Sequence, residues 1–266
     1  MHVLREFLLI TFPTIISRSG RSTILDVAGG KGDLSWLLLN VDQMESVVVD
    51  PRVTTNHQHL LRSLAYLKEH PKDCIERAIP HRPTHQPLAR LVQHLQEPYQ
   101  RPKHLRLLVN NGLIEALRAY LDSKDELQWA AYWRLALEEA RQSQPLGYFE
   151  NEIESSATIV DPQEGLTALL DTTLVVGFHP DQATEACIDL ALLLGISYCV
   201  VPCCVFPSDF PDRLTPEGTR VRTYDEFVAY LRTKDPLHMK KAVLGFHETV
   251  TARSIVLYRA YPGRDN

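Results

Sequence analysis

Apolar positions along the chain fall into short continuous runs that alternate with stretches of helical spacing. The first clear run, Ile24, Leu25 and Val27, ends in the small-residue turn Ala28-Gly29-Gly30-Lys31-Gly32. Helical spacing resumes at Leu34, Trp36, Leu37 and Leu38, and a second run, Val47-Val48-Val49, ends at Asp50. The pattern predicts strand, glycine-rich turn, helix and strand in that order. Upstream, residues 2–17 read as a helix interrupted at Pro13 and packed on the sheet edge. Downstream, residues 57–69 read as a helix with Leu60, Leu61, Leu64 and Leu67 on one face.

The pattern changes over residues 70–146. Pro71, Pro80, Pro83, Pro87, Pro98 and Pro102 punctuate a stretch rich in His and Arg, and two amphipathic segments follow between Glu115 and Gln142. A simple βα unit does not need so many residues between strands, so this stretch is expected to be a helical insertion or cap. The alternation then returns. Residues 157–160 are expected to be a third strand ending at Asp161, and 163–170 a helix. Residues 173–178 are expected to be a buried strand ending at His179-Pro180-Asp181, and 183–194 a helix closed by Gly195. Residues 198–201 form a further strand before Pro202-Cys203-Cys204, and 224–231 a helix. Residues 241–246 and 254–258 read as two closing strands.

Near-continuous apolar strands alternating with helices imply a mostly parallel sheet covered on both faces. The two closing strands leave no room for a crossover helix, so they are expected to pair antiparallel. The expected fold class is therefore α/β, a Rossmann-like mostly parallel sheet with an antiparallel final strand and a helical insertion.

Composition narrows the function classes modestly. The chain has 266 residues, is 44% apolar, and carries 28 Lys+Arg against 33 Asp+Glu, for a formal charge of −5. That charge argues against a surface wholly devoted to nucleic acid, though not against a local basic groove. Five cysteines, an odd count with several inside apolar patterns, fit reduced thiols in an intracellular compartment, cytoplasmic or nuclear. Arg5, Arg18 and Arg21, with Ser17, Ser19 and Ser22, keep a mitochondrial address open. The N-terminal apolar run is too short to span a bilayer, so no membrane association is expected.

The glycine turn carries the most chemistry. Gly30 and Gly32 are followed by Asp33 and Ser35, so the dinucleotide pattern G-x-G-x-x-G is incomplete. Asp26 and Asp33 would repel a pyrophosphate, which disfavours a nicotinamide-dependent oxidoreductase. An acidic opening residue suits a cationic ligand instead. Asp50 closes the second strand about twenty residues past the turn, where a carboxylate can accept hydrogen bonds from ribose hydroxyls. His179 and Asp181 are expected on the same sheet edge. His179 could orient a substrate or take a proton, and Asp181 could cap the next helix. Cys203 and Cys204 invite a metal reading, but adjacent cysteines do not readily share one zinc and no C-x-x-C accompanies them, so no metal is expected.

Three stretches together carry a family resemblance: Asp26 to Ser35, Gly177 to Glu185, and Val201-Pro202-Cys203-Cys204-Val205-Phe206-Pro207. They resemble the class I methyltransferase superfamily, in particular the group of tRNA 2′-O-methyltransferases and eukaryotic methyltransferase-like proteins with a histidine followed by a Pro-Cys-Cys signature. The resemblance implies a single methyltransferase-like domain over residues 1–266, and S-adenosyl-L-methionine as cofactor. It implies cofactor contacts at Asp26, Ala28, Gly29, Gly30, Gly32, Asp50, Pro51 and Arg52, with Asp161 toward the adenine. Ala28 stands where the group's motif has its first glycine. His179 and Asp181 are the implied catalytic residues. The expected activity is methyl transfer to an RNA or protein substrate. The alternative is a catalytically inactive scaffold of the same fold serving as an assembly or RNA–protein binding factor.

Overall fold

The computed structural model describes residues 2–16, 23–52, 57–70, 92, 95, 97–143, 157–245 and 253–261. Among these, eight strands form one sheet. In chain order the strands are β1 (Thr23–Val27), β2 (Ser46–Val49), β3 (Lys103–Leu105), β4 (Thr158–Ile159), β5 (Thr172–Phe178), β6 (Ser197–Val201), β7 (Lys240–Val243) and β8 (Ile255–Arg259). Across the sheet the order is β4-β3-β2-β1-β5-β6-β8-β7. Pairing is parallel from β4 through β6, and antiparallel where β8 meets β6 and β7. The fold is thus α/β with a mostly parallel sheet and an antiparallel closing strand, compatible with a Rossmann-like architecture. The closing strand does not sit at the edge. It inserts between β6 and β7, an arrangement that hairpin proximity alone does not specify.

Helices cover both faces. On one face lie α5 (Asn111–Ser123), α6 (Glu126–Gln142), α7 (Pro162–Leu170), α8 (Thr184–Leu194) and α9 (Tyr224–Thr233). Their apolar side chains pack with Leu25, Val47, Val49, Leu105, Val175 and Val200 in the larger core. On the other face lie α1 (His2–Thr11), the short α2 (Pro13–Ile16) and α3 (Asp33–Asn40). Leu4, Phe7, Leu8 and Phe12 meet Ile24, Leu174, Val176, Val201 and Val256 there. The N-terminal helix therefore covers a sheet face rather than an edge. Buried Arg5 ties it to Asp42 beyond the end of α3. Helix α4 (Gln58–Glu69) packs through Leu60 and Leu64 on Trp36 and Leu37.

The stretch 70–146 departs from the expected cap. Lys103–Leu105 is a strand of the sheet, in register with Val47–Val49, and α5 and α6 belong to the core layer on that sheet. Trp129 and Trp133 of α6 are buried, and their indole N–H groups donate to the carbonyls of Pro162 and Val160 at 2.8 and 3.0 Å. The expected third strand, 157–160, is instead the two-residue edge strand β4 beyond β3. The reason lies in length and composition. β3 is three residues long and begins Lys103-His104, so it shows no apolar run, yet His104 is fully buried in the sheet. The first half of the His/Arg-rich stretch, including Arg77, His81, Arg82, His85, Arg90 and His94, lies outside the described residues. So do residues 246–250, between the two closing strands.

No helix among the described residues is long and apolar enough to cross a membrane.

Candidate functional site

In a parallel sheet the loops that leave the carboxyl ends of the strands gather at one edge, and a cleft opens where the strand order reverses. Here β1 is flanked by β2 on one side and β5 on the other. At that edge lies a cavity of about 640 Å³. Its walls come from four strand ends: Val27 and Ala28 after β1, Val49 to Arg52 after β2, Leu107 to Gly112 after β3, and Pro180 to Ala183 after β5. Glu185 and Ala186 of α8, Ser143 and Phe210 complete it. The volume falls in the range of small-molecule and cofactor sites.

The glycine turn takes its shape from two left-handed positions, Gly30 at φ 58° and Gly32 at φ 74°, before α3 begins. Ala28, also left-handed at φ 53°, pays for its Cβ in the place where a glycine would sit without strain. Gly29 is required for a different reason: a Cβ there would stand 2.8 Å from Asp26 Oδ2.

Asp26 lies beneath this turn, not in the cavity wall. It is buried on the α3 side of the sheet, where Ser35 Oγ donates to its Oδ2 at 2.9 Å and Ser46 Oγ donates to Ser35 Oγ at 2.9 Å. Burial pushes the Asp26 carboxyl up to about 7, against the opposing pull of the Ser35 hydrogen bonds. Asp26 thus braces the loop from below, and the expected direct contact with a cationic ligand is not the role its position supports.

Asp50 is buried at the tip of β2, and its carboxylate is fully engaged. Oδ2 accepts from the Gly30 backbone N–H at 2.9 Å and from Arg52 Nη2 at 3.0 Å. Oδ1 accepts from the Arg52 backbone N–H and from Arg52 Nε, each at 2.9 Å. The Asp50 pairing holds the Arg52 guanidinium above its ordinary value. This clamp joins the glycine turn to the β2 loop. Two side chains from β3 and the residues just after it support that loop: His104 Nε2–H donates to the Asp50 carbonyl at 2.8 Å, and Arg106 Nε to the Pro51 carbonyl at 3.1 Å. Two residues counted among the basic groups of the stretch are therefore braces for the cavity wall.

Of the expected catalytic pair, only Asp181 lines the cavity. His179 stacks on Phe178 at 4.5 Å, and its Nε2–H donates to the Arg253 carbonyl at 3.0 Å. Both residues adopt left-handed backbone, φ 54° and 47°. Asp181 does not cap α8 with its side chain; its backbone carbonyl accepts from Thr184 Oγ1, and its Oδ1 accepts from Cys203 Sγ at 3.1 Å. Burial and the Asp181 contact push the Cys203 thiol up to about 12.

Asp161 stands apart from the site. It is exposed at the edge strand β4, where its side chain caps α7 by accepting from Gln163 N and Glu164 N at 3.0 and 2.8 Å. The third-strand position falls to the segment after β3. Asn110 there caps α5 through Leu113 N at 3.1 Å, and Asn110 and Asn111 both line the cavity. The cue was the cap-forming Asn110-Asn111-Gly112 directly after the apolar Leu107-Leu108-Val109.

A second missed feature is the charged cluster beside Glu185. Arg213, 4% exposed, donates from Nε to Glu185 Oε2 at 2.7 Å and from Nη1 to the Val205 carbonyl at 3.0 Å. Tyr230 Oη and Lys234 Nζ each reach Glu185 Oε1 at 2.6 Å, and Lys234 also contacts Asp189. These partners hold the Glu185 carboxyl below its ordinary value despite burial. The Arg213 guanidinium lies 3.6 Å from the ring centre of Phe210. The cluster thereby fixes two cavity-lining residues, Glu185 and Phe210.

Comparison with family models, curated proteins and solved structures finds no match for this chain. The chain is an α/β protein with a mostly parallel sheet, compatible with a Rossmann-like architecture, and a cavity of small-molecule size at the carboxyl edge of that sheet.

Proposed function

We propose that the chain is an S-adenosyl-L-methionine-dependent methyltransferase of the class I fold, acting on a nucleophile of an RNA or protein substrate. The observation that carries this reading is the cavity at the strand-order reversal, lined by left-handed Ala28 at the end of one strand and by a buried carboxylate, Asp50, at the tip of the next, with the glycine turn joined to that carboxylate through Gly30 N–H. The donor set supports it. Asp50 and the backbone of Pro51 and Arg52 would hold the ribose, Asn110 and Asn111 offer amide groups for the adenine, and Ala28 with the Gly30–Gly32 turn would border the methionyl part. The cofactor, when bound, supplies a methyl group activated by its sulfonium. The chain's own contribution is positioning: the carboxylates among the described cavity-lining residues are Asp50, Asp181 and Glu185, and Asp50 and Glu185 are already paired with cationic side chains.

Isothermal calorimetry tests the reading. A binding heat with S-adenosyl-L-methionine and with S-adenosyl-L-homocysteine is expected, and no heat with either overturns it.

A second reading, a non-catalytic scaffold of the same fold, is favoured by the Asp50 clamp. Both oxygens of that carboxylate already have partners within the protein, so Arg52 must move before a ribose can use it. Incubation with methyl-labelled cofactor and cell extract separates the two. An enzyme labels an acceptor that a Gly30→Arg control leaves unlabelled, whereas a scaffold labels nothing beyond that control.

A further inference from the structure

Asp181, Cys203 and Cys204 come from two neighbouring strand ends. Asp181 follows β5, Cys203 and Cys204 follow β6, and β5 and β6 pair in parallel with Phe178 opposite Val201. One carboxylate oxygen and two sulfurs all lie within 4.8 Å of one another. Cys203 Sγ and Asp181 Oδ1 are already at 3.1 Å. Asp181 is also part of the cavity wall. The linear pattern offered only two adjacent cysteines, a poor zinc site. Folding adds a third donor from a different loop, and that changes the chemistry.

We propose that Asp181, Cys203 and Cys204 form a three-ligand site for a divalent cation of the zinc type, beside the cavity that Asp181 lines. Ligand atoms around a tetrahedral zinc, bound at about 2.0–2.3 Å, stand about 3.3–3.8 Å apart, so the Cys203–Asp181 pair opens slightly and no other pair closes by more than about 1.5 Å. Two sulfurs select zinc over magnesium or calcium, which prefer all-oxygen shells. Three protein donors leave a fourth position for water or a substrate atom, the arrangement of catalytic rather than purely structural zinc. On binding, the ion replaces the protons of both thiols, which leave to solvent, and the Cys203–Asp181 hydrogen bond gives way to two metal bonds. Cys187 and Cys199 are fully buried in the core and take no part.

The site goes beyond the methyl-transfer reading and does not depend on it, because metal binding is read on the full chain without any adenosyl ligand. Chelator-treated, reduced protein is titrated with cobalt(II) chloride and followed by absorption. One equivalent is expected to bind, with a near-ultraviolet thiolate-to-cobalt band and the intense visible bands of a four-coordinate ion, all erased by one equivalent of zinc. Cys204→Ser, a substitution at an exposed position, should weaken the near-ultraviolet band to about half and leave the circular dichroism unchanged. Cys203→Ser/Cys204→Ser should abolish the band. Asp181→Asn should keep it but weaken cobalt binding at least about tenfold. Absence of a thiolate band in the wild-type chain overturns the site. So does a band that survives intact in the double variant, or cobalt affinity unchanged by Asp181→Asn.

Discussion

Arg52 straddles the carboxylate of Asp50, with Nε 2.9 Å from Oδ1 and Nη2 3.0 Å from Oδ2. Asp50 is buried while the Arg52 side chain is 55% exposed, so the guanidinium is the movable half of the pair. Arg52→Ala removes the competitor for the carboxylate and leaves the Gly30 hydrogen bond in place. The expected outcome is several-fold tighter binding of S-adenosyl-L-homocysteine by calorimetry. Weaker binding would mean that Arg52 itself holds the ligand.

Asp50→Ala should act in two ways at once. It removes the ribose acceptor, and it strands the half-buried Gly30 N–H, a loss that costs at most about 1–3 kcal/mol, the figure for a fully buried donor. A loss of ligand affinity of tenfold or more is expected, with a lowered melting temperature. Unchanged affinity in a folded variant would take the β2 tip out of the site.

The buried Asp26 carboxyl predicts an unusual pH dependence. The folded protein holds this proton up to about pH 7, whereas the unfolded chain releases it near the ordinary value of 3.8. The folded state therefore binds more protons through that interval, and stability falls as pH rises from about 4 to 7. The scale is about 1.4 kcal/mol for each pH unit between the two values. Asp26→Asn abolishes the titration, so the difference in unfolding free energy between variant and wild type should shift in the variant's favour between pH 4.5 and pH 8. Urea unfolding at those two values measures it; an unchanged difference would contradict the burial argument.

Gly165 on α7 lies against Trp133 of α6, and a Cβ there would stand 2.1 Å from the indole Cη2. Trp133 is buried and tied by its N–H to the Val160 carbonyl, so it has little room to move. Gly165→Ala should therefore destabilise by about 1–3 kcal/mol or more through overpacking, despite the better helix propensity of alanine. Thermal unfolding of that variant against Gly112→Ala, whose Cβ meets only an Asn110 side-chain oxygen at 3.2 Å, separates packing from propensity.

Arg213→Met keeps much of the apolar stem but leaves Glu185 without its buried guanidinium partner. Lys234 and Tyr230 still reach Glu185 Oε1, so the expected cost is below the roughly 3–5 kcal/mol of a fully broken buried pair. The readout is a reduced urea midpoint at unchanged m-value. No change in midpoint would show that Lys234 and Tyr230 satisfy the carboxylate without Arg213.

The sequence by itself determined the central strands, the glycine turn, the antiparallel pairing of the closing strands and the placement of Asp50. Each of these rests on local chemistry: apolar runs long enough to read, small residues at left-handed backbone, and a carboxylate at the end of a run. The tertiary structure decided what depends on partners distant in the chain. Lys103–Leu105 is a strand because β2 pairs with it and buries His104, though its own three residues carry no apolar signal. Asp161 reads like a strand-tip carboxylate, yet it stands at the sheet edge capping α7, since β3 already occupies the place beside β2. Asp26 and Asp50 look alike in the sequence, but Asp26 lies inside β1, with its side chain on Ser35 beneath the glycine turn, whereas Asp50 lies just past the end of β2, in the cavity wall. Asp181 joins Cys203 and Cys204 for the same reason: parallel pairing of β5 and β6 brings loops some twenty residues apart to one edge.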